Sequence, residues 1–76
     1  MRNGSFRLID LMRLDDDAFR KRFKNSPVKR TKRRGLLRNV AVALGNSDDL
    51  SAVGPLIDAL SDHEPLIRAH VVWALG

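Results

Sequence analysis

The chain contains no cysteine. That absence excludes disulfides, thiolate metal sites, iron–sulfur ligation and a cysteine nucleophile in this polypeptide. Aromatic residues are scarce: Phe6, Phe19, Phe23 and Trp73 are all it has. No apolar run approaches the roughly 20 residues that span a bilayer. Residues 1–10 also lack the basic-then-apolar pattern of a secretory leader, so a cytoplasmic setting without a membrane partner is expected. A further shortage is local: residues 18–38 hold no Asp or Glu, yet they hold ten Lys or Arg.

That local imbalance accounts for the whole excess of the +5 formal charge. Residues 1–17 carry three basic and four acidic side chains, and residues 39–76 carry Arg68 against five acids. A solvated face usually mixes signs, because like charges at neighbouring helical positions repel. An unmixed cationic block points instead to a polyanionic partner.

The 76 residues, 43% of them hydrophobic, make one domain with a thin core. Apolar residues recur at helical spacing. Leu8, Leu11 and Met12 predict a short first helix. Asp15 or Asp16 caps a second, which carries Phe19 and Phe23 and ends near Asn25. Ser26-Pro27 reads as the start of a third helix from Val28 to Leu44, with Leu37, Val40, Ala41 and Leu44 inward. Gly45-Asn46 is expected to close it as a left-handed cap. A fourth helix follows over 50–60, with Val53, Leu56, Ile57 and Leu60 inward and Pro55 ending its first turn or kinking it. Pro65 starts a fifth, through Leu75. No segment alternates as a strand would, so the expected class is all-α, about five helices and no sheet.

The chain also repeats itself. Ala43-Leu44-Gly45 and Ala74-Leu75-Gly76 lie 31 residues apart, and the same offset pairs Leu36 with Ile67 and Val40 with Val71. Two helix pairs of this kind, with small residues permitting close approach, read as a HEAT-like repeat of the type also found in phycobilin lyases. Residues 1–27 would then be N-terminal helices and a basic linker, and 28–76 the repeat helices, all in one domain. A final helix that stops at Gly76 without a following cap reads as a fragment.

Within the basic block, Arg30, Arg34 and Arg38 recur every fourth residue and form a ridge beside the apolar stripe of the third helix. Lys29, Lys32 and Arg33 flank it, and Arg20, Lys21, Arg22 and Lys24 form a second patch. Arginine suits phosphate because its planar fork donates to two oxygens at once. These ten residues are the candidate nucleic-acid contacts. All four aromatic residues are expected to pack rather than to stack on bases.

Catalytic alternatives find little support. His63 and His70 stand apart from any metal-site spacing. His63 reads as a turn residue and His70 as a partly buried structural one. Asp15-Asp16-Asp17 is explained by helix capping and the helix dipole. No catalytic residue and no metal site is expected. Two further readings compete with nucleic-acid binding: a protein-interaction adaptor holding an acidic protein or peptide, and a capping domain whose basic block meets its own parent protein.

The runs from Asp15 to Phe23, from Ser26 to Arg30 and from Arg33 to Asn46, together with Pro65 to Gly76, resemble the C-terminal region of epoxyqueuosine reductases. Arg34-Gly35-Leu36-Leu37-Arg38-Asn39 is the most specific part. The resemblance implies a HEAT-like module of an enzyme that completes queuosine in tRNA, using cobalamin and two four-iron–four-sulfur clusters. It implies that the cofactors and catalytic region lie N-terminal to the matched part, and that the basic surface here helps to hold the tRNA anticodon stem-loop. Glu64 departs from the Asp often found before the proline of such repeats.

Overall fold

The computed structural model describes residues 8–27 and 32–76. Among them are five α-helical segments and no strand: α1 (residues 8–12), α2 (Asp16–Arg22), α3 (Lys32–Gly45), α4 (Val53–Ala59) and α5 (Pro65–Leu75), with a 3-10 turn at Leu50–Ala52 leading into α4. The all-α expectation holds. None of the helices is long and apolar enough to cross a membrane.

Helix α3 lies against α5, and their facing stripes make the core. Leu37, Leu44, Ile67 and Val71 are the largest fully buried side chains, joined by Val40, Ala41, Leu56 and Met12. Burial of each large aliphatic side chain contributes about 1.5–3 kcal/mol. The inward stripe expected for α3 is therefore the observed one. Helix α2 starts where the acidic run suggested, with the Asp15 carboxylate accepting from the Ala18 N–H at 2.8 Å. It ends at Arg22, and the Phe19 and Phe23 rings lie 5.0 Å apart at 52°.

Three local expectations need correction. Helix α3 begins at Lys32, which has a φ of 65°; the expected start at Val28 lies outside the described residues. A left-handed residue cannot be carried inside a right-handed helix, so Lys32 marks an entry point and not an interior position. Gly45-Asn46 is no left-handed cap, since neither residue has a positive φ. The hydroxyl of Ser47 donates to Leu44 O at 2.9 Å there. On and just before α4 the buried residues are Ala52, Pro55, Leu56 and Ala59, so the inward expectation holds for Leu56, whereas Val53, Ile57 and Leu60 are 42%, 52% and 39% exposed. The expected and the observed inward sets both have i, i+3, i+4, i+7 spacing, one residue out of register. The smaller set faces inward, with Pro55 in the first helical turn, where its missing N–H leaves no bond unmade.

Gly45 is small for a packing reason. A Cβ there would sit 2.9 Å from both Cα and Cβ of Ala74 and 2.9 Å from Trp73 Cζ3, so the backbones of α3 and α5 meet at this point.

One polar tether fixes the helix ends that frame this core. Arg33, at the start of α3, is 9% exposed. Its Nε donates to Leu14 O at 2.8 Å, in the turn between α1 and α2. Its Nη1 donates to Asp62 Oδ1 at 3.2 Å and its Nη2 donates to Asp62 Oδ2, in the turn between α4 and α5. Burial alone would raise the Asp62 carboxyl pKa. The Arg33 hydrogen bonds, the Glu64 N–H and the charges of Arg33 and His63 outweigh it and hold the carboxyl below its usual value.

Two stability tests follow from this packing. Gly45→Ala should destabilise by about 1–2 kcal/mol, overpacking outweighing the gain in helix propensity. Gly54→Ala, where nothing lies within 4 Å of the new methyl, should instead stabilise by about 0.4–1 kcal/mol; urea unfolding of both distinguishes them. Removing one partner of a buried pair costs about 3–5 kcal/mol, so Asp62→Ala should lie near the lower end, this site being partly open. Because the folded pKa of Asp62 lies below the unfolded one, its stabilisation is complete above the ordinary Asp value of about 3.9 and is lost as pH falls through the lower folded value. Asp62→Asn should flatten the loss of stability below about pH 4, as followed by circular dichroism.

Candidate nucleic-acid interface

The cations of the basic block fall into distinct groups once folded. Arg33 is the clear correction: it is not a surface phosphate contact, because Leu14 O and Asp62 engage its nitrogens inside the helix junction. Asp16 Oδ1 approaches the same guanidinium at 3.8 Å. Sequence spacing placed Arg33 beside the ridge and carried no sign of the distant Asp62 that claims it.

In α2 and the turn after it, Arg20 pairs with Asp17, and Arg22 pairs with Asp10 at 2.9 Å while its guanidinium carbon lies 6.0 Å from the Phe23 ring centre. These are exposed pairs, worth little to stability and readily exchanged for another anion. Lys21 and Lys24 are exposed and make no ion pair among the described residues. On α3, Lys32 and Arg34 are likewise exposed without a carboxylate partner, and Arg38 is half-buried, its Nε 3.4 Å from the Asn39 side-chain oxygen. Lys29 and Arg30 lie outside the described residues.

Arg34 and Arg38 thus retain the one-turn spacing expected of the ridge. Beside them, Asp16, Lys32, Arg33, Arg34 and Glu64 line an open polar cleft of about 330 Å³. Of its two acidic residues, Asp16 is already engaged, and no ion pair holds the Glu64 carboxylate among the described residues. Asp16 Oδ2 bonds His63 Nε2 at 2.7 Å, and Asp16 also neutralises Arg33. The three aspartates therefore do three things: Asp15 caps α2, Asp16 joins the tether and Asp17 holds Arg20. No group of three metal-ligating side chains is assembled among the described residues.

The histidines lie as their surroundings suggested, His63 exposed in a turn and His70 half-buried with Nδ1 2.9 Å from Leu66 O. The aromatic expectation holds for Phe19 and fails for Trp73. Phe19 is 5% exposed, but Trp73 is 55% exposed. An indole at this position is too large for the α3–α5 contact, where Gly45 already meets Ala74, and so it lies at the rim. Phe6 falls outside the described residues.

No known family profile matches the chain, and no solved structure matches it either. Curated relatives do. The chain is 39% identical over 72 residues to an epoxyqueuosine reductase of Xanthomonas campestris pv. campestris, covering 91% of this chain and 20% of that protein. It is 36% identical over 77 residues to one of Alicycliphilus denitrificans, covering 91% and 21%. It is 31% identical over 69 residues to one of Escherichia coli, covering 91% and 18%. The chain spans about a fifth of the length of the relatives it matches, and over nine-tenths of its own length it is similar to part of epoxyqueuosine reductase.

Proposed function

We propose that this chain is a non-catalytic, HEAT-like RNA-binding module of an epoxyqueuosine reductase, matching its C-terminal region, and that its basic surface holds a tRNA anticodon stem-loop. The observation that carries the reading is the cationic line on α3, Lys32 and Arg34 with Arg38 one turn on, none of them paired with a carboxylate among the described residues, inside a block that has ten cations and no acid. Similarity to part of a tRNA-modifying enzyme supplies the kind of polyanion. Lys29, Arg30, Lys32, Arg34 and Arg38 are the assigned phosphate contacts, with Arg20, Lys21, Arg22 and Lys24 as a second set. The fold supports the HEAT-like label through α3 and α5, which pack together and end in the same Ala-Leu-Gly sequence.

The cobalamin and the two four-iron–four-sulfur clusters implied by the resemblance are assigned to the parent's N-terminal catalytic region, which is also the assigned protein partner, in the cytoplasm. A chain without cysteine offers no thiolate to such a cluster. A second reading, a protein-interaction adaptor, is favoured by one observation: Leu50, Val53, Ile57 and Leu60 form an exposed apolar stripe on and beside α4. It predicts a protein complex insensitive to salt and only weak RNA binding.

A gel-shift titration on an anticodon stem-loop, repeated over a salt series, tests the first reading. If about five phosphates are neutralised, log K against log salt should slope near −3.5 to −4.5. Arg34→Glu should weaken binding, lower the magnitude of that slope by about 1 and leave the thermal melt unchanged. An absence of binding at low salt would contradict the reading.

A further inference from the structure

Trp73 is the chain's single tryptophan. Its Cζ3 edge lies against Gly45, which anchors one side of the indole to α3, yet the residue stays 55% exposed. Together with Val42, Ala69 and His70 it lines an open cleft of about 320 Å³ between α3 and α5. No carboxylate lines this cleft. His70 is held in place, its Nδ1 2.9 Å from Leu66 O. A carbonyl only accepts, so Nδ1 carries the proton, and in the neutral ring Nε2 is left as an acceptor. A largely apolar wall, a half-exposed indole and an imidazole acceptor suit a flat heteroaromatic ring that bears N–H donors.

The cleft's place in the fold narrows the ligand further. Arg34, Arg38 and Val42 are successive i+4 positions of α3 and share one face, rising about 6 Å per step. The cationic line therefore runs directly into the cleft. A polyanionic strand that lays its phosphates along Arg34 and Arg38 brings its next base over Val42 and Trp73. Single-stranded nucleic acids are held by this combination of a cationic track and an aromatic platform.

We propose that the cleft of Val42, Ala69, His70 and Trp73 seats one unpaired nucleobase of a bound RNA, stacked on Trp73 with an N–H directed at His70. The proposal rests on the RNA-binding reading above and deepens it, adding a contact to a base where that reading has contacts to phosphate. Stacking tolerates any base, so the site distinguishes unpaired from paired RNA more than it distinguishes sequence.

The lone indole is its own reporter. The 76-residue chain is titrated with an anticodon stem-loop and, separately, with a fully paired RNA duplex, while tryptophan emission is followed. The stem-loop should quench the emission on saturation, and the duplex should bind without quenching. Trp73→Leu should lower stem-loop affinity by about 5- to 150-fold, the range of one base–aromatic stack, and leave duplex affinity within about twofold. Trp73→Phe should recover part of the loss. Circular dichroism checks that each variant folds; if Trp73→Leu does not, the quench and Trp73→Phe decide. Stem-loop binding that saturates with emission unchanged, or that is unaltered in Trp73→Leu, removes the base seat and leaves phosphate binding standing. Failure of both RNAs to bind removes the RNA reading and the base seat together.

Discussion

The Arg33 guanidinium joins three parts of the chain that are far apart in sequence. It bonds the α1–α2 turn through Leu14 O and the α4–α5 turn through both carboxylate oxygens of Asp62. Asp62 is itself held from two more directions, since its carboxylate accepts from the Glu64 N–H at 2.9 Å and its carbonyl accepts from Arg68 Nη1 at 2.7 Å. A charge this deeply buried is tolerated only where every donor finds an acceptor. Here that condition sets where α2, α3 and α5 begin relative to one another. A domain of this size has a thin core, so a polar junction of this kind matters more than it would in a larger protein.

The same junction divides the basic block into structural and available charge. Arg33 serves the fold, and its immediate neighbours Lys32 and Arg34 remain on the surface. Asp16 and Asp62, which lie close enough to oppose an incoming anion, are already engaged with Arg33 and His63. The tether thus does two jobs at once. It fixes the start of α3, and it neutralises Asp16 and Asp62 beside the ridge that α3 carries. From there the ridge leads along one helix face to the cleft beside Trp73.

Much of this was legible in the sequence, and the failures have a common cause. The α3 stripe, the Asp15 cap and the Pro65 start of α5 depend on local spacing and capping chemistry, which a sequence displays directly. The role of Arg33 depends on a partner 29 residues away, which spacing within a helix cannot show. The inward face of α4 was misread because two apolar registers overlap there, and tertiary packing chose the one with smaller residues. The small residues do permit a close approach, at Gly45, yet the left-handed cap expected there is absent, because the close contact with Ala74 explains the glycine without any special φ. Trp73 is expected from the sequence to pack, like the other aromatic residues, and it does not. Its size keeps it at the rim, and that made it a candidate contact.

The central claim is that neighbouring arginines on one helix do different work, Arg33 inside the fold and Arg34 and Arg38 toward RNA. Arginine side-chain Nε–Hε resonances, followed by NMR during titration with an anticodon stem-loop, test it most directly. The account predicts a slowly exchanging Arg33 Nε–Hε signal that RNA leaves in place, while the Arg34 and Arg38 signals shift. An Arg33 signal that exchanges as fast as an exposed arginine, or that moves with RNA as Arg34 does, would contradict it.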